Sequence, residues 1–222
     1  FPILSSSCNI PSTAQAYSLN YTAIPQGALG YLITWPAGQT QPLVSTLNAL
    51  TGTITANAAI VAGGTNGAVA VFVNNNSDLV IDINGYFAPP GSGGLSLIPV
   101  TPCRILDTRN SSGSSLELAP QGPATSAPFS GTLAVNVSGS GCGIPASAQG
   151  YVLNATVIPQ TTLGYLTVWP NGTPQPLTST LNALDGSIMS NMAIVSTNNG
   201  SINVFAPNPT QLVLDIYAYL AP

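Results

Sequence analysis

The chain is written in short apolar runs that alternate with polar positions. YSLNYTAI (17–24), YLITW (31–35), AVAVFV (68–73) and LVIDINGYF (79–87) are rich in β-branched and aromatic residues and largely keep a period of two. That period belongs to strands with one face against a core. A second set follows: YVLNATVI (151–158), YLTVW (165–169), SINVFA (201–206) and LVLDIYAYL (212–220). GTLAVNVSG (131–139) adds a further candidate strand. Turns are expected at Asn66-Gly67, Asn84-Gly85, Asn171-Gly172 and Asn199-Gly200, because Asn and Gly tolerate positive φ. No segment carries a long 3.6-residue apolar stripe. AQAYSL (14–19) has some helical propensity, but Pro11 and Pro25 bracket it and its later counterpart reads AQGYVL.

The two sets are copies of one another. Cys8-Asn9-Ile10-Pro11 recurs as Cys142-Gly143-Ile144-Pro145, 134 positions on. LGYLITWPAG (29–38) matches LGYLTVWPNG (163–172), and QPLVSTLNALTGTITANAAIV (41–61) matches QPLTSTLNALDGSIMSNMAIV (175–195). After a one-residue deletion, LVIDINGYFAP (79–89) matches LVLDIYAYLAP (212–222). Such a repeat marks homologous structural units. Many short strands separated by turns predict an all-β chain of two tandem β-sandwich domains, jelly-roll or Ig-like. The expected boundaries are 1–90, a Gly/Ser linker at 91–98, and 99–222. One barrel across both copies is the weaker alternative, because each copy carries its own set of apolar alternations.

Residues 91–141 occur once. They hold IPVTPCRILDTRN (98–110), a polar stretch and the strand GTLAVNVSG. Ahead of Cys8 stand only FPILSSS, which can be set against the last strand before Cys142; nothing there matches RILDTR. The first domain is therefore expected to lack N-terminal strands.

Composition narrows the chemistry. The chain of 222 residues has 2 Lys+Arg, 6 Asp+Glu and no His, a net charge of -4, and charged residues make up 4%. An ordinary domain carries roughly a quarter. Nucleic acid is excluded as a partner, since its backbone needs clustered cations. His-ligated metals and His-dependent triads are excluded as well. Disorder is disfavoured by a hydrophobic content of 45%. No apolar run of membrane-spanning length occurs. With no His and no Lys to act as a base, Ser and Thr are not activated. Among Asp78, Asp82, Asp107, Glu117, Asp185 and Asp215, only Asp78 and Asp82 share a strand face, and Gln211 replaces Asp78 in the second copy. The chain is read as no enzyme, with no cofactor and no metal. A calcium loop at Asn74–Asp78 is ranked below a plain turn. The start at Phe1, with neither Met nor a basic apolar leader, suggests a processed, exported product.

Cys103-Arg104-Ile105-Leu106-Asp107-Thr108-Arg109, then a strand, LNAT, GYLTVWPNG, STLN, the Asn-Met-Ala-Ile-Val strand and a closing D-x-x-x-Y together resemble a repeat module of secreted actinobacterial and acidobacterial proteins. The resemblance covers nearly all of 98–222 and, truncated, 8–90. It implies a secreted or cell-surface location, often in arrays or beside secreted hydrolases, and no established activity. The ending Tyr217-Ala218-Tyr219-Leu220 departs from the module's N-G-Y-F form, which Asn84-Gly85-Tyr86-Phe87 keeps.

Within the full-length copy, Cys103 and Cys142 are the only cysteines, and a disulfide between them is expected; Cys8 is then left over. An Asp among isoleucines, valines and leucines is costly to bury unpaired. Asp215 is therefore expected to pair with Arg104 or Arg109, with Asp107 orienting the other, as a buried ion pair. Its counterpart Asp82 has no arginine of its own, so it either lacks a partner or faces solvent. A missing disulfide partner and a missing cation point to one missing segment. Three explanations stay open: another chain completes the module, with Cys8 in an intermolecular disulfide; the protein is longer; or Phe1–Ser7 covers the edge.

Trp35 and Trp169 hold equivalent places before Pro and could stack on sugar rings, against a packing role at the end of the sandwich. Sequons at Asn20, Asn75, Asn110, Asn136, Asn154 and Asn171 allow a glycoprotein, though a bacterial host would leave most unmodified. The repeated Asn48/Asn182 and Asn57/Asn191 are expected to satisfy backbone groups at strand ends. The reading that follows is an extracellular structural or adhesive module. It would self-associate head to tail by strand complementation into a filament or surface array, completed by another copy or a missing segment. The alternative is a carbohydrate-binding accessory module with a glycan partner.

Overall fold

The computed structural model describes residues 1–43, 45–89, 91, 93–109 and 127–222. The fold is all-β and sandwich-like. In unit 1 the strands are β1 (Ala16–Pro25), β2 (Gly30–Pro36), β3 (Leu47–Ala49), β4 (Thr55–Ala62), β5 (Val69–Val73) and β6 (Ser77–Phe87). In unit 2 they are β7 (Ser96–Asp107), β8 (Phe129–Asn136), β9 (Gly150–Pro159), β10 (Gly164–Pro170), β11 (Leu181–Ala183), β12 (Met189–Ser196) and β13 (Ser201–Ala221). The chain divides into two compact units at Gly91. β7 begins at Ser96, so 96–98 belong to a strand rather than to the expected linker.

Unit 2 is organised by β13. Its first part lies between β10 and β8, with Phe205 opposite both Thr167 and Thr132. Its second part lies between β9 and β7, with Leu214 opposite both Ala155 and Leu106. β11 extends the first set beyond β10 and β12 the second beyond β9. Every pairing among the described residues is antiparallel, and most join strands that are not successive in the chain. Ile202, Val204 and Ala206 from the first part join Leu212, Leu214 and Ile216 from the second in one core, all fully buried.

Among the described residues unit 1 follows the same path with one strand fewer on each side: β3-β2-β5 and β4-β1-β6. β5 and β6 separate at 74–76, where β13 runs on through Pro207-Asn208-Pro209. The repeated motifs make the same local bonds in both units. Thr46 N–H donates to Leu32 O (2.8 Å) and its hydroxyl accepts from Thr34 N–H (3.0 Å). Thr180 does the same with Leu166 O (2.7 Å) and Val168 N–H (3.0 Å). Asn57 Nδ2 and Asn191 Nδ2 then donate to the carbonyls of those two threonines, at 2.6 and 2.7 Å. The S-T-L-N and distant Asn motifs are thus a clamp holding a short strand beside its neighbour. Asn48 and Asn182 differ from expectation: each donates to a serine hydroxyl, Ser45 or Ser179, rather than to backbone.

The turns are mixed. Asn66 and Gly67 take positive φ (57° and 67°), as the Asn-Gly signal predicts. At Asn171-Gly172 and Asn199-Gly200 only the glycines do. Asn84-Gly85 is no turn. Both lie inside β6, where the register against β1 slips between Leu19↔Ile83 and Ser18↔Gly85, leaving Asn84 as a bulge residue.

Candidate functional site

RILDTR builds a clasp along one edge of β13. Ile105 and Leu106 enter the core. Asp107 is buried, and its carboxylate accepts from Arg109 backbone N–H (3.0 Å), Nε (2.9 Å) and Nη2 (2.7 Å). Arg104 Nη1 adds a longer bond to Asp107 (3.3 Å). Arg104 also donates through Nε to Asp215 Oδ1 (2.9 Å) and through Nη2 to Oδ2 (3.5 Å). Thr108 closes the clasp: its N–H donates to Leu212 O (3.0 Å), and its hydroxyl accepts from Leu212 N–H (2.8 Å). The Arg109 hydrogen bond above all holds the Asp107 carboxyl below its ordinary range, against the opposing effect of burial.

The expectation of a buried ion pair needs correcting. Only the Asp107 carboxylate is buried; the side chains of Arg104 and Arg109 are 40% and 48% exposed. Partial exposure of both arginine side chains lowers the cost of desolvating the cations. Behind the clasp, Cys103 and Cys142 form a disulfide with Cα atoms 5.8 Å apart.

The equivalent edge in unit 1 has none of this. Among the described residues β6 pairs with β1 alone. Asp82 stands where Asp215 stands, half-buried, and no ion pair reaches it among the described residues. Burial without a cation pushes its carboxyl up. Cys8 is free and exposed. Its backbone setting nevertheless repeats that of Cys142: Asn9 adopts φ 54° where Gly143 adopts 69°. After that turn both chains enter their sheets alike. Gln15 N–H donates to Phe87 O and Gln149 N–H to Leu220 O, each at 2.7 Å.

The N-terminal residues cover a different edge. The Phe1 amino group donates to Val69 O (2.8 Å) and Val69 N–H to Phe1 O (3.0 Å), with Pro2 bridged to Ala68. This reproduces the last pairs of β8 with β13. Val69 is fully buried there, like its counterpart Ile202. Two residues along, where Phe1 no longer reaches, Val71 is only partly buried while Val204 is sealed. The expectation that Phe1–Ser7 covers the edge is met at one end of β5, and among the described residues none of 1–7 pairs with β6.

The tryptophans also separate. Each indole N–H donates across the following turn at 3.0 Å, Trp35 to Gln39 O and Trp169 to Thr173 O. Trp169 is 4% exposed, so it offers no face to a sugar ring and the paired stacking site is withdrawn. Trp35 is half-buried. Asn74–Asn76 form the turn before β6, and no cluster of His, Cys, Asp or Glu able to hold a metal occurs among the described residues. The sequon at Asn110, Glu117 and Ser92 of the linker lie outside the described residues. No helix among the described residues is long and apolar enough to cross a membrane. The match of FPILSSS to the last strand before Cys142 holds for Phe1 and Pro2 only, which leaves the rest of the β5 edge without a partner among the described residues. The sequence signal for this is that GTLAVNVSG, like RILDTR, occurs once. No family model matches the chain, and no curated protein is detectably similar to it.

Proposed function

We propose that the chain is an extracellular structural or adhesive repeat module, of the kind secreted by bacteria. In this reading the open module is completed by strands from a neighbour, so that modules join head to tail in a filament or surface array. One observation carries it: both sheets of unit 1 stop one strand short on the side that unit 2 fills with β7 and β8. An unpaired, apolar edge is a template for another strand. The exposed face of β6 sets one apolar residue, Val80, between Asp78 and Asp82. Val80 is 44% exposed, and its counterpart Val213, opposite Asp107, is 5% exposed. With no lysine in the chain, the usual protection of an edge strand is missing. The disulfide suits an oxidising compartment.

The test is to append a copy of residues 92–137 to the C-terminus and follow the product by sedimentation and electron microscopy. Regular polymers, with the unextended chain as control, uphold head-to-tail joining. A closed monomer, its appended strands folded back on its own unit 1, overturns it.

A further inference from the structure

We propose that the β6 edge is a docking site for one kind of strand: an extended, antiparallel segment reading Cys-Arg-apolar-apolar-Asp, supplied by a further module of this repeat type. This deepens the proposed function and rests on its open edge. The register follows from the repeat. β13 sets Ile216 opposite Cys103, Asp215 opposite Arg104 and Val213 opposite Asp107, with a bulge between. The β6 counterparts are Ile83, Asp82 and Val80. An incoming Arg would therefore stand opposite Asp82 and an incoming Cys opposite Ile83. Cys8 enters the sheet through the same left-handed turn as Cys142, which places it to take the incoming sulfur as Cys142 takes Cys103. The two apolar residues would cover Leu79, Ile81 and Ile83, which are partly buried where Leu212, Leu214 and Ile216 are sealed.

The occupant is not β7 of a second copy of this chain. That strand already holds Asp215, and its Cys103 is already bonded. Moving it would close one edge by opening an equal one, with no net pairing gained. A strand from a further module closes the edge outright. The covalent step is thiol–disulfide exchange. Cys8 loses its proton to solvent, and the thiolate attacks the strand's cysteine sulfur in a mixed disulfide with a small thiol. The small thiol leaves as its thiolate, so no separate oxidant is needed.

The probe is a peptide copying residues 96–109, SLIPVTPCRILDTR, with its cysteine carried as a mixed disulfide with thionitrobenzoate. Release of that chromophore reports the attack by Cys8 in the full chain, and peptide mapping locates the bond. Docking raises the local concentration of the reacting sulfurs, so coupling should run on the order of tenfold or more faster than with a scrambled peptide. Replacing the peptide's first arginine, the one directly after its cysteine, by Gln, or Asp82→Asn in the chain, should remove most of that advantage. The peptide variant leaves the protein's folding untouched. Equal rates for native and scrambled peptides, or no dependence on the arginine, would overturn the proposal. Fast, arginine-dependent capture upholds the docking chemistry even if the extended chain forms only closed monomers, so the two readings can fail separately.

Discussion

Ile83 and Ile216 hold the same place in the repeat, and so do Ile81 and Leu214, yet only the unit 2 members are sealed from water. The side chains are equally apolar, so the difference lies in what stands beside them. In unit 2, β7 and β8 flank β13 on the side opposite its inner neighbours, and the apolar face has a lid at each end. In unit 1, among the described residues, Phe1 and Pro2 alone pair along the outer edge of β5, and Val69 beneath them is the one β5 residue that is fully buried. One sequence pattern, used twice, thus gives one finished core and one unfinished core. Burial belongs to the neighbourhood and not to the residue.

The comparison can be broken most sharply at the disulfide. Replacing Cys103 and Cys142 by Ser opens a link of sequence separation 39. Unit 2 should lose about 4 kcal/mol, by the chain-entropy account, while unit 1 is unmoved. The chain's 2 tryptophans fall one in each unit, so variants with Trp35→Phe or Trp169→Phe let fluorescence follow each unfolding transition alone. A matching loss in unit 1 would mean that the units do not unfold independently.

Truncation of the core comes next. Leu214→Ala should cost unit 2 about 3 kcal/mol, through lost transfer energy and a residual cavity. Ile81→Ala, at the counterpart that water already reaches, should cost less than half as much. Equal losses in urea melts would show that the exposure of β6 has no energetic weight.

The carboxylates should respond in opposite directions. Asp107→Asn leaves two arginines without their shared acceptor and should cost unit 2 about 1–2 kcal/mol, kept modest because both arginine side chains are partly exposed. Its pKa is depressed in the folded state, so its contribution is present above the ordinary carboxylate range and is lost as pH falls through it. Asp82 has a raised pKa, so its penalty is present at neutral pH and is relieved as pH falls through that value. Acid should therefore weaken unit 2 and spare or strengthen unit 1. Parallel acid melts of the two units would contradict this.

The smallest effect is Asp82→Asn at neutral pH. Removing an unpaired, half-buried charge should stabilise unit 1 by less than about 1 kcal/mol. Destabilisation instead would reveal a partner for Asp82 that the repeat does not anticipate.

Much of the fold was legible in the sequence because strand pairing repeats. The alternation in LVIDINGYF and LVLDIYAYL marks both strands, and the single occurrence of RILDTR flags what the first copy lacks. The clasp was legible in part. Arg104 and Asp215 could be matched by scarcity of charge, but the grip of Arg109 on Asp107 two residues away, and the partial exposure of both arginine side chains, depend on side-chain direction at the sheet edge. Asn84-Gly85 misled because a bulge and a turn favour the same residue types. Trp169 misled because a repeated Trp reads the same whether it binds a ligand or ties down a turn.

By itself the sequence determined the strands, the duplication and the uneven share of segments between the copies, since these follow from local periodicity and from counting. The three-dimensional arrangement alone decided which edges are left without a neighbour, which tryptophan is covered and which carboxylate finds a cation. Those properties depend on residues far apart in the chain meeting across a sheet, and no local pattern encodes the company a strand will keep.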